Sequence, residues 1–337
     1  MKTEKGGVVM IKLYHGDCLE KMKEIEPESV NCCVTSPPYY GLRDYGHEGQ
    51  IGLEQTPDGY VQKMVVVFRE VWRVLRKDGT VWLNLGDSYW SNTLSRKDKV
   101  EAMWGNRPAS DLTNGRKNIP KNNLRGGMKQ PEGIKPKDLM GIPWRVAFAL
   151  QADGWWLRQD IIWHKPNPMP ENVKDRCTKA HEYIFLLSKS QKYFYDAEAV
   201  KEPVTESSVA RLSQPTIKQQ SGSARVPFKT NGNMKAVGDG LTRNRRSVWT
   251  VTTKPFKGAH FAVFPEKLIE PCILAGCPKG GTVLDPFTGS GTSGIVAVKH
   301  GRNFIGCELN KEYLDMASRR IWKAKQSQGL LNSMEEW

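Results

Sequence analysis

The sequence predicts an α/β fold with a doubly wound, mostly parallel sheet, and three observations carry that expectation. From residue 11 to residue 85 the pattern runs strand, helix, strand, helix, strand. The alternation returns between residues 282 and 325 as strand, helix, strand, helix. The strands are short apolar runs, as buried parallel strands are, and strands separated by helices pair through crossovers that place helices on both faces.

The elements follow in order. Ile11 to Tyr14 reads as a strand closing at His15-Gly16-Asp17, and Cys18 to Ile25 has helical spacing through Leu19, Met22 and Ile25 until Pro27 stops it. Val30 to Val34 is the second strand. Residues 41–56 are glycine-rich and irregular, a loop suited to lie over a site. Tyr60 to Arg76 is a long amphipathic helix, with Gly79 expected to cap it, and Thr80 to Leu85 a strand. Pro143 to Asp153 is a helix stopped by Gly154, and Trp155 to Trp163 enters a strand pair. Tyr183 to Leu187 is a strand for which Tyr193 to Tyr195 is the expected hairpin partner. A helix through Leu268, Ile269, Cys272 and Ile273 precedes the strand Thr282 to Leu284, the helix Ser290 to His300, the strand Asn303 to Cys307 and a closing helix, Glu312 to Lys325.

Charge is unevenly placed. The chain of 337 residues has a formal net charge of +14. Residues 91–137 hold 11 Lys and Arg against 4 Asp and Glu, and residues 197–247 hold 9 against 4, so these aperiodic stretches carry nearly all of the excess. A neutral scaffold with basic insertions suits a polyanion such as nucleic acid. No apolar run is long enough to cross a bilayer or to form a signal peptide, which predicts an intracellular, cytoplasmic location. The seven cysteines show no C-x-x-C and no framework spacing, so they read as small core hydrophobes, and no metal is expected.

Two stretches carry chemistry. Thr35-Ser36-Pro37-Pro38-Tyr39-Tyr40-Gly41 follows the second strand, and neither proline has an N–H to continue a ladder. The chain must leave the sheet as a stiff corner, at the strand end where open α/β sheets bind ligands. Ser36 and the Pro37 carbonyl offer acceptors, and Tyr39 offers a stacking face, which together suit a flat, amine-bearing nucleobase. Taken alone, the seven residues also fit a plain turn with a core tyrosine. The second stretch, Val283-Leu284-Asp285-Pro286-Phe287-Thr288-Gly289-Ser290-Gly291-Thr292, is a strand, a glycine turn and a helix start. Gly289 to Gly294 spells G-x-G-x-x-G, and Glu308 follows at the end of the next strand, where an acid binds ribose hydroxyls. Asp285 and Phe287 ahead of the glycines oppose a pyrophosphate. They favour a cationic cofactor such as S-adenosylmethionine.

With both motifs in this order, the chain resembles the amino-methyltransferases of DNA in their circularly permuted, beta-class arrangement, with a Ser-Pro-Pro-Tyr catalytic motif. Asp17, the segment Phe264-Pro265-Glu266-Lys267-Leu268, and the segments Trp163-His164-Lys165-Pro166 and His181-Glu182 are also similar to that family. The resemblance implies a seven-stranded Rossmann-like methyltransferase sheet in which the strand ending at Glu308 neighbours the one ending at Asp17. It divides the chain into a catalytic half over 10–90, a basic insertion over 91–137, a continuation over 138–196, a target-recognition region over 197–247 and a cofactor half over 248–330.

By that resemblance Ser36, Pro37, Pro38 and Tyr39 are catalytic. Asp285, Phe287, Gly289, Ser290, Gly291 and Thr292 line S-adenosylmethionine, Glu308 holds its ribose, Asp17 its adenine amine, and Phe264 and Pro265 form a further wall. Asp17 also fits a helix N-cap. Arg243, Arg245 and Arg246 are candidate DNA contacts. The implied activity is methylation of cytosine N4 in duplex DNA, with adenine N6 as the alternative, since adenine-modifying members more often carry aspartate at the position of Ser36. Double-stranded DNA is the expected partner, with a homodimer and a separate restriction endonuclease as further candidates. Pro271-Cys272 and Glu171-Asn172-Val173 echo carbon-5 cytosine methylation but stand in the reverse order, and Cys272 reads as core. An RNA or protein methyltransferase with an Asn-Pro-Pro-Tyr corner is disfavoured by Ser36 and the basic insertions. A non-catalytic DNA-binding scaffold is disfavoured by the intact glycine loop.

Overall fold

Neighbouring strands run in parallel across most of an eight-stranded sheet, as a computed structural model shows. The structure describes residues 9–47, 49–90, 131–212, 242–253 and 263–334. Most of both basic stretches, including Trp104, lies outside the described residues.

The strands are β1 (Ile11–His15), β2 (Val30–Thr35), β3 (Leu75–Leu85), β4 (Trp156–His164), β5 (His181–Ser188), β6 (Glu202–Pro203), β7 (Thr242–Arg243), β8 (Val248–Thr250), β9 (Thr282–Asp285) and β10 (Asn303–Glu308). The main helices are α1 (Cys18–Met22), α2 (Pro57–Val74), α3 (Ile142–Ala152), α4 (Glu206–Leu212), α5 (Glu266–Gly276), α6 (Thr292–Lys299) and α7 (Lys311–Met334). The sheet order is β1-β10-β9-β2-β3-β5-β4-β8, and β6 pairs separately with β7. One apolar cluster, from α1, α2 and α3, packs on one face, and a second, from α5, α6 and α7, packs on the other. The doubly wound expectation holds, with one short strand more than the seven expected: β8 adds to β4 because Trp249 is buried there. This places residues 248–250 at the opposite edge of the sheet from the cofactor half to which their sequence position assigns them.

The expected meeting of the first and last strands is observed. β1 and β10 are parallel, His15 stands opposite Glu308, and the Gly16 N–H donates to the Glu308 carbonyl at 2.9 Å. The strand order reverses between β9 and β2, so the carboxyl ends of these two strands flank the crevice where open α/β sheets take ligands.

Two local expectations are corrected. α2 starts at a Thr56 N-cap, whose Oγ1 accepts from Gly59 N–H at 3.1 Å, but it stops at Val74 and Gly79 does not cap it. Leu75 is fully buried and already extended, paired with Val30. Residues 76–79 form a bulge before pairing resumes at Cys32 and Thr80. The partners of β5 are β3 and β4, both antiparallel, and not Tyr193–Tyr195. Tyr195 instead stacks on Trp82, with ring centroids 6.4 Å apart. The β4–β5 hairpin brings His164, Lys165 and His181 to the same edge as the carboxyl end of β3. No described helix is long and apolar enough to cross a membrane.

The glycines ahead of α6 show why this half tolerates little change. Gly291 has φ +81°, and a Cβ there would stand 2.8 Å from Ala317 Cβ on α7. Left-handed strain and the clash add, so Gly291→Ala is expected to cost about 2–4 kcal/mol of stability, read as a lowered denaturation midpoint.

Candidate active site

β2 delivers the Ser-Pro-Pro-Tyr corner to one side of the crevice. The Pro38 carbonyl accepts the Tyr60 hydroxyl of α2 at 2.9 Å, which fixes the turn, whereas no described group bonds the Pro37 carbonyl. The ring of Tyr39 lies on the backbone of Gly86, where a Cβ would come within 2.6 Å of Cε2. Its hydroxyl donates to Glu182 Oε2 at 2.8 Å, has Asn84 Oδ1 at 3.2 Å, and accepts from Ser36 Oγ at 3.3 Å. The other Glu182 oxygen accepts the Lys165 ammonium, which also sits 4.2 Å above the centre of the Trp163 ring. Burial and the neighbouring Glu182 carboxylate hold the Tyr39 phenol protonated.

β9 and β10 deliver the opposite side. Glu308 Oε2 accepts the Gly289 N–H at 2.8 Å and Oε1 the Asn310 N–H at 2.9 Å, while burial raises its pKa above the usual carboxylate value. Each oxygen retains a lone pair for a further donor. Asp17 is the N-cap of α1: Oδ1 accepts from the Leu19 and Glu20 N–H groups, and Oδ2 accepts no described hydrogen bond.

A cleft of about 1120 Å³, its open mouth included, runs between the two sides. Ser36, Pro37, Pro38 and Tyr39 line it, as do Asp17, Phe264, Phe287, Gly289, Ser290, Thr292 and Glu308. Three expected residues stand outside this wall. Gly291 faces α7, Pro265 caps α5, and Asp285 lies beneath the crevice, only 1% exposed.

Asp285 serves the fold. Its Oδ1 accepts from Thr35 Oγ1 at 2.6 Å and from Phe287 N–H at 3.1 Å, and its Oδ2 accepts from Ser293 Oγ at 2.6 Å. It thereby ties β2 to β9 and α6 across the reversal point. Burial raises its pKa to about 6 despite these donors. A carboxyl raised in the folded state gives stability that is complete below the unfolded value, near 4, and is lost as pH rises through about 6. The stability of Asp285→Asn relative to wild type is therefore expected to improve by about 2 kcal/mol between pH 4 and pH 7, measured by unfolding at each pH.

Residues that sequence reasoning did not name complete the cleft. Arg43, Tyr45, His47 and Gln50 come from the glycine-rich loop, and Tyr313 from the first turn of α7. The loop was marked by its composition, but its individual side chains were not. Cys272 is fully buried in α5, where burial pushes its thiol upward, so it is no nucleophile. The arginines are engaged within the chain. Arg243 and Arg246 both donate to Glu202 Oε1, at 2.9 and 2.8 Å, and the Arg245 guanidinium sits 4.8 Å from the centre of the Trp249 ring.

The donor set fits S-adenosylmethionine. An acid with spare lone pairs at the end of β10 suits a ribose diol. The Phe264 and Phe287 rings suit a purine, and the spare Asp17 oxygen suits its amine. Comparison with known proteins gives the family. The model of the N6_N4_Mtase family, described as DNA methylase, matches residues 30–319. The chain belongs to this DNA methylase family. The methylase is 47% identical over 311 residues to the Type II methyltransferase M.Cfr9I of Citrobacter freundii, covering 92% of this chain and 87% of that one. It is 44% identical to the Type II methyltransferase M.SmaI of Serratia marcescens, covering 93% and 91%. Among solved structures, the cytosine-N4-specific PvuII DNA methyltransferase matches with TM-score 0.58 and 19% identity, covering 95% of this chain and 92% of that one. TTHA0409 from Thermus thermophilus, solved with S-adenosyl-L-methionine, matches with TM-score 0.56 and 20% identity, covering 94% of each chain. At these identities the two structures speak for the fold alone. The methylase acts on DNA and uses S-adenosylmethionine.

Proposed function

We propose that the methylase modifies the exocyclic N4 of a cytosine swung out of duplex DNA. The observation that carries this reading is a neutral hydroxyl, Ser36, in the corner that shares one cleft with Glu308 and Phe287. An exocyclic amine is a poor nucleophile because its lone pair is delocalised into the ring. Ser36 Oγ and the unbonded Pro37 carbonyl accept its two N–H groups and draw the nitrogen toward a tetrahedral shape. The Tyr39 ring, backed by Gly86, provides the stacking face for the base. S-adenosylmethionine, when bound, would supply an electrophilic methyl on a sulfonium. Glu308 holds the ribose, Asp17 the adenine amine, and Phe264 and Phe287 the purine. Thr288, Gly289, Ser290 and Thr292 line the methionine, with Arg43 placed to meet its carboxylate. Alignment and acceptors at the developing charge account for the rate, with no covalent intermediate on the protein.

Residues 197–247 serve as the target-recognition region, with 91–137 as a second basic contact. The ends of the former are clasped by β6 and β7, and those of the latter by Trp90, whose backbone N–H donates to the Asp138 carbonyl at 2.8 Å. Arg246, with a side chain 67% exposed, is best placed of the three arginines to reach a phosphate. The Type II designation of the relatives supports a companion restriction endonuclease.

The test is product analysis. Protein, S-adenosylmethionine and unmethylated duplex DNA are incubated, and the DNA is digested and examined by mass. N4-methyl-2′-deoxycytidine is expected; N6-methyl-2′-deoxyadenosine would overturn the base assignment.

A further inference from the structure

The hydroxyls at the corner all point one way. Tyr39 Oη has a single proton and two acceptors in reach, Glu182 Oε2 at 2.8 Å and Asn84 Oδ1 at 3.2 Å, and the nearer, charged one takes it. Tyr39 Oη is then an acceptor toward Ser36, whose Oγ–H donates at 3.3 Å. With its proton committed to Tyr39, Ser36 Oγ presents only lone pairs to the cleft. A serine free to rotate could equally donate to an amine, so this commitment decides its role. The chain ends on a carboxylate that β5 carries to the corner from 143 residues away, with a side chain 16% exposed.

We infer that Glu182 is a positioning residue for methyl transfer: acting through Tyr39, it makes Ser36 a dedicated acceptor and receives the proton that the methylated amine sheds. This rests on the proposed role of Ser36. The new C–N bond uses the amine lone pair and leaves the nitrogen cationic. One N–H bond then breaks, its electron pair staying on nitrogen, and the proton goes to Ser36 Oγ. The Ser36 proton passes to Tyr39 Oη and the Tyr39 proton to Glu182, which becomes a neutral acid and later releases it to water. Other groups also face Glu182: Lys165 at the end of β4, Lys179 and His181 at the start of β5, and the Asn84 amide of β3.

The experiment compares Tyr39→Phe, Glu182→Gln and the double variant, using methyl transfer to duplex DNA at saturating cofactor. Each single change is expected to lower kcat by about 100-fold, with cofactor affinity within about twofold of wild type. The double variant is expected to be no slower than the slower single one by more than about threefold, because both break one chain. The acid limb of the kcat profile should flatten in both singles. Full turnover by Tyr39→Phe, multiplicative losses in the double variant, or an unaltered acid limb would overturn the relay. Tyr39→Phe keeps the ring and leaves Lys165 paired, so it carries the test even if Glu182→Gln fails to fold. Ser36→Ala, measured alongside, separates the two readings. An inactive Ser36→Ala beside fully active Tyr39→Phe and Glu182→Gln sinks the relay alone. A fully active Ser36→Ala sinks the corner assignment and the relay together.

Discussion

Ser36→Ala is expected to lower kcat by about 10²–10³-fold while the Kd for S-adenosylmethionine stays within about twofold of wild type. The asymmetry follows from where the hydroxyl sits. Ser36 lines the cleft, and its described hydrogen bond runs to Tyr39, away from Glu308 and Phe287 on the cofactor side. Removing it deletes an acceptor for charge that develops only as the amine becomes tetrahedral, and such an interaction is lost from kcat. The fold should hardly notice. Tyr39 keeps Glu182 as its partner, Pro38 keeps Tyr60, and Thr35 keeps Asp285. Single-turnover rates beside cofactor titration check the expectation. Normal turnover with weakened cofactor binding would mean that the corner serves the cofactor.

The sequence disclosed the parts of this site that are local and missed those that depend on direction or distance. The adjacency of β1 and β10 was legible only through the resemblance to the permuted methyltransferases, whose order puts the glycine loop late and brings the two ends of the chain together in the sheet. The corner was legible because two prolines leave the chain few ways to go. Asp285 lies beneath the crevice and not on its wall, and the sequence could not show that, because it gives a carboxylate after a strand but not which way it faces. Its bonds to Thr35 and Ser293 come from other elements. Gly291 likewise packs against α7, and a glycine pattern does not say which glycine lines a cleft and which meets a helix. The boundary between α2 and β3 shifted because Leu75 is buried against β2, and tertiary burial overrides a local glycine stop. Glu182 drew notice only through a resemblance. Its bond to Tyr39 needs a hairpin that folds back along β3, and no periodicity announces that register.

Glu308→Ala is expected to do the reverse of Ser36→Ala. The cofactor Kd should rise about 100-fold, while kcat at saturating cofactor stays within a few-fold of wild type. A carboxylate that accepts two hydroxyl donors is worth about 3 kcal/mol in all, since each charge-assisted bond contributes about 1.5 kcal/mol or more. These bonds are equally strong before and during methyl transfer, so their loss falls on binding and not on the chemical step. The carboxylate also holds the Gly289 and Asn310 N–H groups. Glu308→Gln can keep only one of those with its single amide oxygen, and it should weaken binding about 10-fold, between alanine and wild type. Because burial raises the Glu308 pKa, protonation sets in earlier for it than for an exposed glutamate as pH falls. A protonated carboxyl gives up acceptor capacity. Cofactor affinity should therefore fall on the acid side in wild type and become less dependent on pH in Glu308→Gln. Calorimetric titration across pH measures both. A Glu308→Ala protein with normal cofactor affinity and collapsed turnover would move the ribose away from β10 and reverse the two sides of the cleft.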